Sequence, residues 1–149
     1  MNIEPESSRQ PDVIAMLEQL DAYFGALYPA ESNHLMDVDS LSRPEVLFLV
    51  ARDANGRALG CGAVVERSGY GEVKRMYVAP AARGQGLGAA LMDQLVQRSR
   101  AAGLPLLRLE LGIRQPEASG LYARCGFISI APFGDYLLDP LSIFMERAL

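Results

Sequence analysis

The chain has 149 residues, half of them hydrophobic, and a formal net charge of -4. This length supports one domain with a buried core and is short for two, so we expect a single domain over residues 1–149. One lysine in the whole chain and no basic stretch interleaved with aromatic residues exclude a typical nucleic-acid-binding protein. The polar, acidic N-terminus and the lack of a run of ~18 apolar residues predict no membrane partner, no ordinary secretory signal and a cytoplasmic location.

Charge and cysteine content both bear on possible ligands. Residues 1–50 contain nine acidic and two basic residues, whereas the remaining 99 residues contain nine acidic and twelve basic ones. The later part of the chain therefore suits an anionic ligand better than the first part. Cys61 and Cys125 have neither CxxC spacing nor His and Cys companions, so we expect two reduced, buried thiols and no metal site.

The first half of the chain predicts one helix followed by an antiparallel meander. Pro11 and Asp12 are typical of a helix start, and apolar residues at helical spacing continue to about Tyr28. Residues 29–44 are expected to be irregular or briefly helical. Turn residues then separate three predicted strands, over residues 46–50, 58–66 and 72–78.

The second half predicts alternating helices and strands. Apolar residues fall at helical spacing from Gly86 to about Gly103, and three strands and a short helix follow, with the strands over residues 106–110, 127–130 and 142–146 and the helix over residues 116–124. The whole pattern predicts an α+β fold in which a mixed, mostly antiparallel sheet of six to seven strands has helices on both faces.

The stretch RGQGLG, residues 83–88, places three glycines where a helix begins. Each glycine costs a helix about 1 kcal/mol relative to alanine, so three of them together require a compensating purpose. The first N–H groups of a helix lack partners within it, and a backbone without Cβ atoms lets an anion approach them. With the charge of Arg83 added, the stretch predicts a site for an anion such as a pyrophosphate.

A dinucleotide-binding loop is the rival interpretation of this stretch. Gly84, Gly86 and Ala89 satisfy G-x-G-x-x-G/A, and Glu110 lies where a ribose-binding acid could follow. However, residues 79–83 separate the preceding strand from the first glycine, and only 39 residues follow Glu110. Both features argue against a dinucleotide fold, and the absence of GK[ST] excludes a Walker loop.

Two motifs carry a resemblance to a known family. MYVAPAARGQGLGAALM, residues 76–92, resembles the acetyl-CoA-binding core of the GNAT superfamily of N-acetyltransferases, whose signature is Arg or Gln, two free positions and Gly-x-Gly or Gly-x-Ala. LYARCGF, residues 121–127, is similar to the segment that ends the last helix of that family. The segments LYPAESNH and PFGDYLLDPLSIFM resemble a subgroup of small bacterial members, some labelled indole-acetate acetyltransferases.

The resemblance implies a GNAT-like sheet and acetyl-CoA as co-substrate, with no metal. It implies that the pyrophosphate lies against the glycine-rich turn and that the pantetheine arm runs along the preceding strand, where the Met76 N–H faces the thioester carbonyl. The cofactor-binding residues expected on this basis are Met76, Tyr77, Val78, Arg83, Gly84, Gln85, Gly86, Leu87, Gly88, Ala89 and Gln115. Gln115 stands where many members have asparagine.

The resemblance also suggests catalytic residues. Tyr122 matches a tyrosine that family members hold against the sulfur, and its phenol can donate a proton to the departing thiolate. For the base we favour Glu72, which strand alternation would place on one face with Lys74, Met76 and Val78. A solvated ion pair of Glu72 with Lys74 is the plain alternative, and a buried structural tyrosine is the alternative for Tyr122. His34 is the second candidate base.

The acceptor is expected to be a small-molecule amine that is positively charged and has an apolar body. The acidic and aromatic residues that suit such an amine include Tyr28, Glu31, His34 and Tyr136. An N-acetyltransferase of proteins or peptides and a non-catalytic coenzyme A sensor are the alternatives, although the long loop over residues 133–140 favours a closed pocket. Edge-strand pairing could produce a homodimer.

Overall fold

A single sheet of seven strands organises the computed structural model, which describes residues 1–149. The sheet has the order β1-β2-β3-β4-β5-β7-β6, and all neighbouring strands are antiparallel except β4 and β5. The strands are β1 Asn2–Pro5, β2 Val46–Arg52, β3 Ala58–Glu66, β4 Gly71–Val78, β5 Leu106–Gly112, β6 Ile128–Ile130 and β7 Ser142–Ala148. The helices are α1 Pro11–Leu27, α2 Val38–Leu41, α3 Leu87–Ala101 and α4 Pro116–Arg124, with 3-10 turns at Ala30–Ser32 and Pro80–Ala82.

Helices cover both faces of the sheet, which confirms the predicted fold class. The apolar face of α1, including Leu17 and Leu20, packs with Phe48 and Val50 of β2 on one face. The larger cluster lies on the other face, where α3 meets β2 to β5 and α4; its α3 members are Leu87, Leu91, Met92, Leu95 and Val96. Burial of these side chains is the main driving force that holds the helices on the sheet.

One strand, β1, is absent from the sequence prediction. Its four residues are mostly exposed and polar, so neither alternation nor β-branched content marks it as a strand. Its position depends on pairing with β2, and it is supported by Arg52, whose guanidinium donates to Glu6 at 2.9–3.0 Å and to Asp12 at 2.6 Å. These contacts tie the chain after β1 and the first turn of α1 to the sheet.

The parallel strands β4 and β5 separate soon after they meet. They pair only at Gly71 with Leu107 and at Glu72 with Arg108. Beyond these pairs the rest of β4, Val73–Val78, has no partner on its β5 side, while β5 continues to pair with β7 through Gly112. The sheet therefore contains a wedge-shaped opening between two adjacent strands.

A β-bulge in β4 corrects the predicted alternation of this strand. Arg75 has φ 59°, and the register of β4 with β3 shifts between the pairs Tyr77–Cys61 and Lys74–Ala63. The extra residue reverses the faces beyond it, because alternation restarts one position later. As a result Lys74 lies on the α1 face with Glu72, whereas Met76 packs with the α3 cluster, so the expectation that all of them share one face is wrong.

Candidate active site

The glycine-rich turn forms one wall of a groove of about 470 Å³ at the wide end of the wedge. Gly84 and Gly86 have φ of 78° and 79°, a backbone conformation that L side chains rarely adopt, and no atom lies within 4 Å of the position of an added Cβ. Gly88 is required for a different reason, since a Cβ there would lie 2.9 Å from Leu121 Cδ2 of α4. Two glycines thus open the turn toward the groove, and the third brings α4 close to α3.

Donors and positive charge line this end of the groove. The Ala90 N–H makes a bond to the Gly86 carbonyl at 3.1 Å, and no side chain caps α3. The preceding N–H groups, on Leu87, Gly88 and Ala89, have no partner inside the helix. Arg83 and Arg124 also line the groove, so this surface suits a negatively charged phosphate group.

The expected cofactor-binding residues, with one exception, lie on this groove. Gln85 is exposed and does not line it. Arg83 is held in place by a hydrogen bond from Nε to the Val78 carbonyl at 3.0 Å, and its guanidinium lies over the rings of Tyr23 and Tyr77. The residues that do line it are Met76, Tyr77, Val78, Arg83, Gly84, Gly86, Leu87, Gly88, Ala89 and Gln115.

A second cavity of about 120 Å³, here called the inner cavity, continues from the groove into the wedge. The two share five lining residues, which are Phe24, Met76, Gln115, Ala118 and Tyr122. Tyr122 is 8% exposed, and burial raises the pKa of its phenol, so the hydroxyl stays protonated at neutral pH. Tyr122 and Met76 therefore lie at the junction where the contents of the groove and the cavity would meet.

Polar and charged groups also line the inner cavity. They include Lys74 on β4, Glu110 on β5 and His34 from the loop after α1. Tyr28 is another lining residue, and its hydroxyl is engaged, accepting from the Arg114 N–H at 3.0 Å and bonding to Gln115 Oε1 at 3.3 Å. The role of Tyr28 in the structure is thus partly to hold the segment between β5 and α4.

Glu72 lies outside both the groove and the inner cavity. It borders an outer cavity of about 650 Å³ together with Glu31, His34 and Tyr136. Its carboxylate accepts from the Tyr136 hydroxyl at 2.6 Å and from Arg67 at 3.1–3.2 Å, and it lies 3.8 Å from Lys74 Nζ. The contact with Lys74 is thus present, but Glu72 is buried and the pair is not the solvated one given as the plain alternative. The structure does not bring Glu72 beside Tyr122.

Sequence reasoning missed Glu110 and Lys74 as residues of this site. Leu107, Leu109 and Leu111 are buried in the α3 cluster, so alternation along β5 places Glu110 on the opposite face. That pattern was available in the sequence. The separation of β4 from β5, which opens a cavity beside Glu110, was not.

Three further observations concern metal-ligating groups, cysteines and long apolar helices. No group of three or more His, Cys, Asp or Glu residues is arranged to hold a metal ion. Both cysteines are free, Cys61 buried and Cys125 half-buried, and burial raises the pKa of Cys61 to about 12. None of the helices combines the length and the apolar character that crossing a membrane requires.

Comparison with known proteins gives relatives over the full chain. The IAA acetyltransferase of Azospirillum brasilense is 48% identical over 151 residues, which cover 100% of this chain and 98% of that protein. A Klebsiella pneumoniae protein described as an acyl-CoA N-acyltransferase has a TM-score of 0.88 at 38% identity, covering 99% of this chain and 97% of that one. The PaiA N-acetyltransferase of Thermoplasma acidophilum, solved with coenzyme A, shares the fold with a TM-score of 0.74 at 18% identity over 100% of both chains.

The family comparison agrees with these relatives. Residues 44–129 match the family described as "Acetyltransferase (GNAT) domain". This range contains β2 to β5, the glycine-rich turn, α3, α4 and the start of β6, and so includes the whole groove wall formed by β4, α3 and α4. The chain belongs to the GNAT family of acetyltransferases.

Proposed function

We propose that the protein transfers an acetyl group from acetyl-CoA to a primary amine of a small molecule by direct attack in a ternary complex. The observation that carries this proposal is the junction of the groove and the inner cavity at Met76 and Tyr122. A thioester that enters through the groove and an amine held in the inner cavity can meet only there. Direct transfer needs this arrangement, because the two reactants must be held together in attack geometry.

The groove residues fit coenzyme A. The pyrophosphate would accept from the free N–H groups at the start of α3, with Arg83 and Arg124 balancing its charge. The pantetheine arm would lie along Met76–Val78, where β4 has no partner on its β5 side. Acetyl-CoA supplies an activated acetyl group, whose C–S bond breaks as the new C–N bond forms.

Two residues at the junction have chemical roles in this proposal. The Met76 N–H would donate to the thioester oxygen as negative charge develops there; a comparable donor contributes about 2.7–4 kcal/mol in other acyl-transfer enzymes. Tyr122 would donate its phenolic proton to the departing sulfur. The proton released by the amine nitrogen as the amide forms returns Tyr122 to its neutral state.

The base that takes the first proton from the ammonium is a separate question. The role of Glu72 as this base stays a prediction. It contacts Tyr136, Arg67 and Lys74, and these contacts favour a role in which Glu72 holds Tyr136 and Lys74 in place. As a base it would act on the amine through a chain of waters. His34 lines the inner cavity but is exposed. Glu110 is also on the cavity wall, and burial raises its pKa, which makes its carboxylate a stronger base.

The size of the inner cavity supports a small acceptor rather than a protein. At about 120 Å³ it admits a compact amine, and the residues around it come from α1, the loop after α1, β4, β5, α4 and the segment before α4. The name of the Azospirillum brasilense relative also points to a small acceptor. A peptide would need an open channel beside the junction.

Calorimetry and a thiol-release assay test the proposal. Titration with acetyl-CoA should give a binding isotherm and titration with NADH none, and a panel of small amines should give acceptor-dependent release of free thiol. Binding of acetyl-CoA without thiol release from any small amine, but with acetylation of peptides, would favour the protein-directed alternative. Binding without acetylation of any acceptor would favour a coenzyme A sensor, and binding of NADH alone would refute the cofactor assignment.

A further inference from the structure

The inner cavity contains two opposite charges that do not touch each other. Lys74 and Glu110 both line it, yet no ion pair joins them within 4.0 Å. Arg75 is the third charged residue of the lining, and its guanidinium is already paired with Asp21 of α1 at 2.5 Å. A positive group and a negative group therefore remain on the wall of one small cavity.

The Lys74 ammonium makes two hydrogen bonds, and its third N–H donor has no acceptor in the protein. Its ammonium donates to the His34 carbonyl at 2.5 Å and to the Tyr136 hydroxyl at 3.0 Å. An ammonium has three N–H donors, and the third has no acceptor at hydrogen-bond distance, since Glu72 Oε2 is 3.8 Å away. Tyr136 in turn donates to Glu72, so the ammonium is part of a connected set of hydrogen bonds.

Lys74 shares the carboxylate that contacts it with a second cation. This carboxylate is Glu72, which also pairs with Arg67 at 3.1 Å. The negative charge on the cavity wall is Glu110, and it makes no ion pair with Lys74, so the ammonium is not fully paired at contact distance. A buried charge is costly when it is not fully paired, so an anionic group in the cavity would be bound favourably.

Glu110 offers the complementary arrangement on the opposite strand. One of its oxygens accepts from the Ser142 hydroxyl at 2.8 Å, and the other oxygen has no protein donor among the bonds around it. The side chain is half-buried and lies on β5, facing the wedge from the side opposite to Lys74. A carboxylate in this position binds an ammonium group and can accept its proton.

From this geometry we infer that the acceptor is a zwitterion, an α-amino acid or related amino carboxylate, whose ammonium faces Glu110 and whose carboxylate is bound by Lys74. This inference rests on the proposed function and adds the second functional group of the acceptor. Apolar neighbours in the same cavity, Phe24, Leu35 and Val73, would contact the acceptor's side chain. Lys74 is then a specificity residue of the acceptor site, and Glu72 and Tyr136 are positioning residues that act through it.

The test compares acceptors that differ only at the carboxylate. The common α-amino acids are assayed beside their α-carboxamides by thiol release, with wild type, Lys74→Gln and Arg43→Gln. Arg43 is exposed and lines none of the cavities, so Arg43→Gln is a control for the loss of one positive charge. Thermal melting and acetyl-CoA affinity are measured for each variant, and Lys74→Arg, which keeps the charge, is included to separate charge from packing.

The wild type should prefer its best amino acid over the matching amide by about 10- to 100-fold in kcat/KM, the size of a charge-assisted hydrogen bond. Lys74→Gln should reduce this ratio to about threefold or less, mainly through KM of the amino acid, while acetyl-CoA affinity stays at the wild-type value. Lys74→Arg should recover part of the ratio, and Arg43→Gln should keep all of it.

Three outcomes separate this inference from the proposed function. If the wild type acetylates amides as well as amino acids, or if Lys74→Gln keeps the preference, the zwitterion inference is wrong and the acetyltransferase proposal stands. If acetyl-CoA binds and other small amines release thiol but amino acids do not, only the zwitterion inference is wrong. If acetyl-CoA binds and neither amino acids, their amides nor any other small amine releases thiol, both are wrong.

Discussion

Replacement of Gly86 by alanine tests whether the glycine-rich turn binds the cofactor. The added Cβ meets no protein atom within 4 Å, so packing inside the protein does not oppose it. The cost to folding is the left-handed backbone, φ 79°, which disfavours a non-glycine residue by about 1–2 kcal/mol. In a domain of this size, that cost lowers Tm by about 2–8 °C.

The effect on acetyl-CoA binding should be larger than the effect on stability. The methyl group would stand in the groove where the pyrophosphate approaches the free amides of α3. Loss of a single charge-assisted hydrogen bond reduces affinity by about tenfold or more. We therefore expect Gly86→Ala to weaken acetyl-CoA binding at least about tenfold in calorimetry at a temperature well below Tm.

Gly103 provides a matched control at the other end of the same helix. It has φ 85°, and it too has no atom within 4 Å of an added Cβ. Gly103→Ala should therefore lower Tm by a similar amount and leave acetyl-CoA affinity unchanged, since Gly103 is not on the groove. Equal affinity losses in the two variants, or wild-type affinity in both, would refute the assignment of the turn as the phosphate site.

Three further changes test other parts of the structure. Tyr122→Phe should lower kcat by about 100-fold with little change in acetyl-CoA affinity, because general acid catalysis contributes on that scale; an unchanged kcat would make Tyr122 structural. Arg52→Gln should lower Tm at neutral pH, and the difference from wild type should shrink as pH falls: Arg52 depresses the pKa of Glu6 and Asp12, so its stabilisation is present above their ordinary pKa and is lost as they protonate. A difference in Tm that does not shrink as pH falls below the ordinary pKa values of Glu6 and Asp12 would contradict this coupling. Leu91→Ala, at a fully buried site of α3, should reduce the free energy of unfolding by about 2–5 kcal/mol in urea titrations without changing the acceptor preference.

Local patterns in the sequence predicted most of the secondary structure. The strand β3 and the helix α4 have the predicted bounds, because turn residues and Pro116 mark their ends clearly. The strand β1 was missed because its stability depends on pairing with β2 and on Arg52 rather than on its own residues. Most residues that line the groove were named from the sequence, the glycine-rich turn because anion binding at a helix start is a local property of the backbone, and the others because the family resemblance implied them.

The arrangement of residues on the acceptor side of the site could not be predicted from local sequence patterns. Glu72, Lys74, Glu110 and Tyr136 are distant in the chain, and their relation depends on where β4 separates from β5 and on the bulge at Arg75. The bulge changes which side chains share a face, and a regular alternation gives no sign of it. Only the assembled sheet shows that Glu72 supports Tyr136 and Lys74, while Glu110 lines the inner cavity.

Short-range features of the sequence were enough to predict the order of most helices and strands, the fold class, the resemblance to the GNAT family and an anion-binding role for the glycine-rich turn. These features follow from short-range periodicity, from glycine and proline conformations and from contiguous motifs. The meeting of the groove with the inner cavity depends on the tertiary structure, and so does the placement of Lys74 and Glu110, which do not pair with each other, on the wall of that cavity. Those depend on contacts between residues far apart in the chain, and such contacts are fixed only when the strands take their places in the sheet.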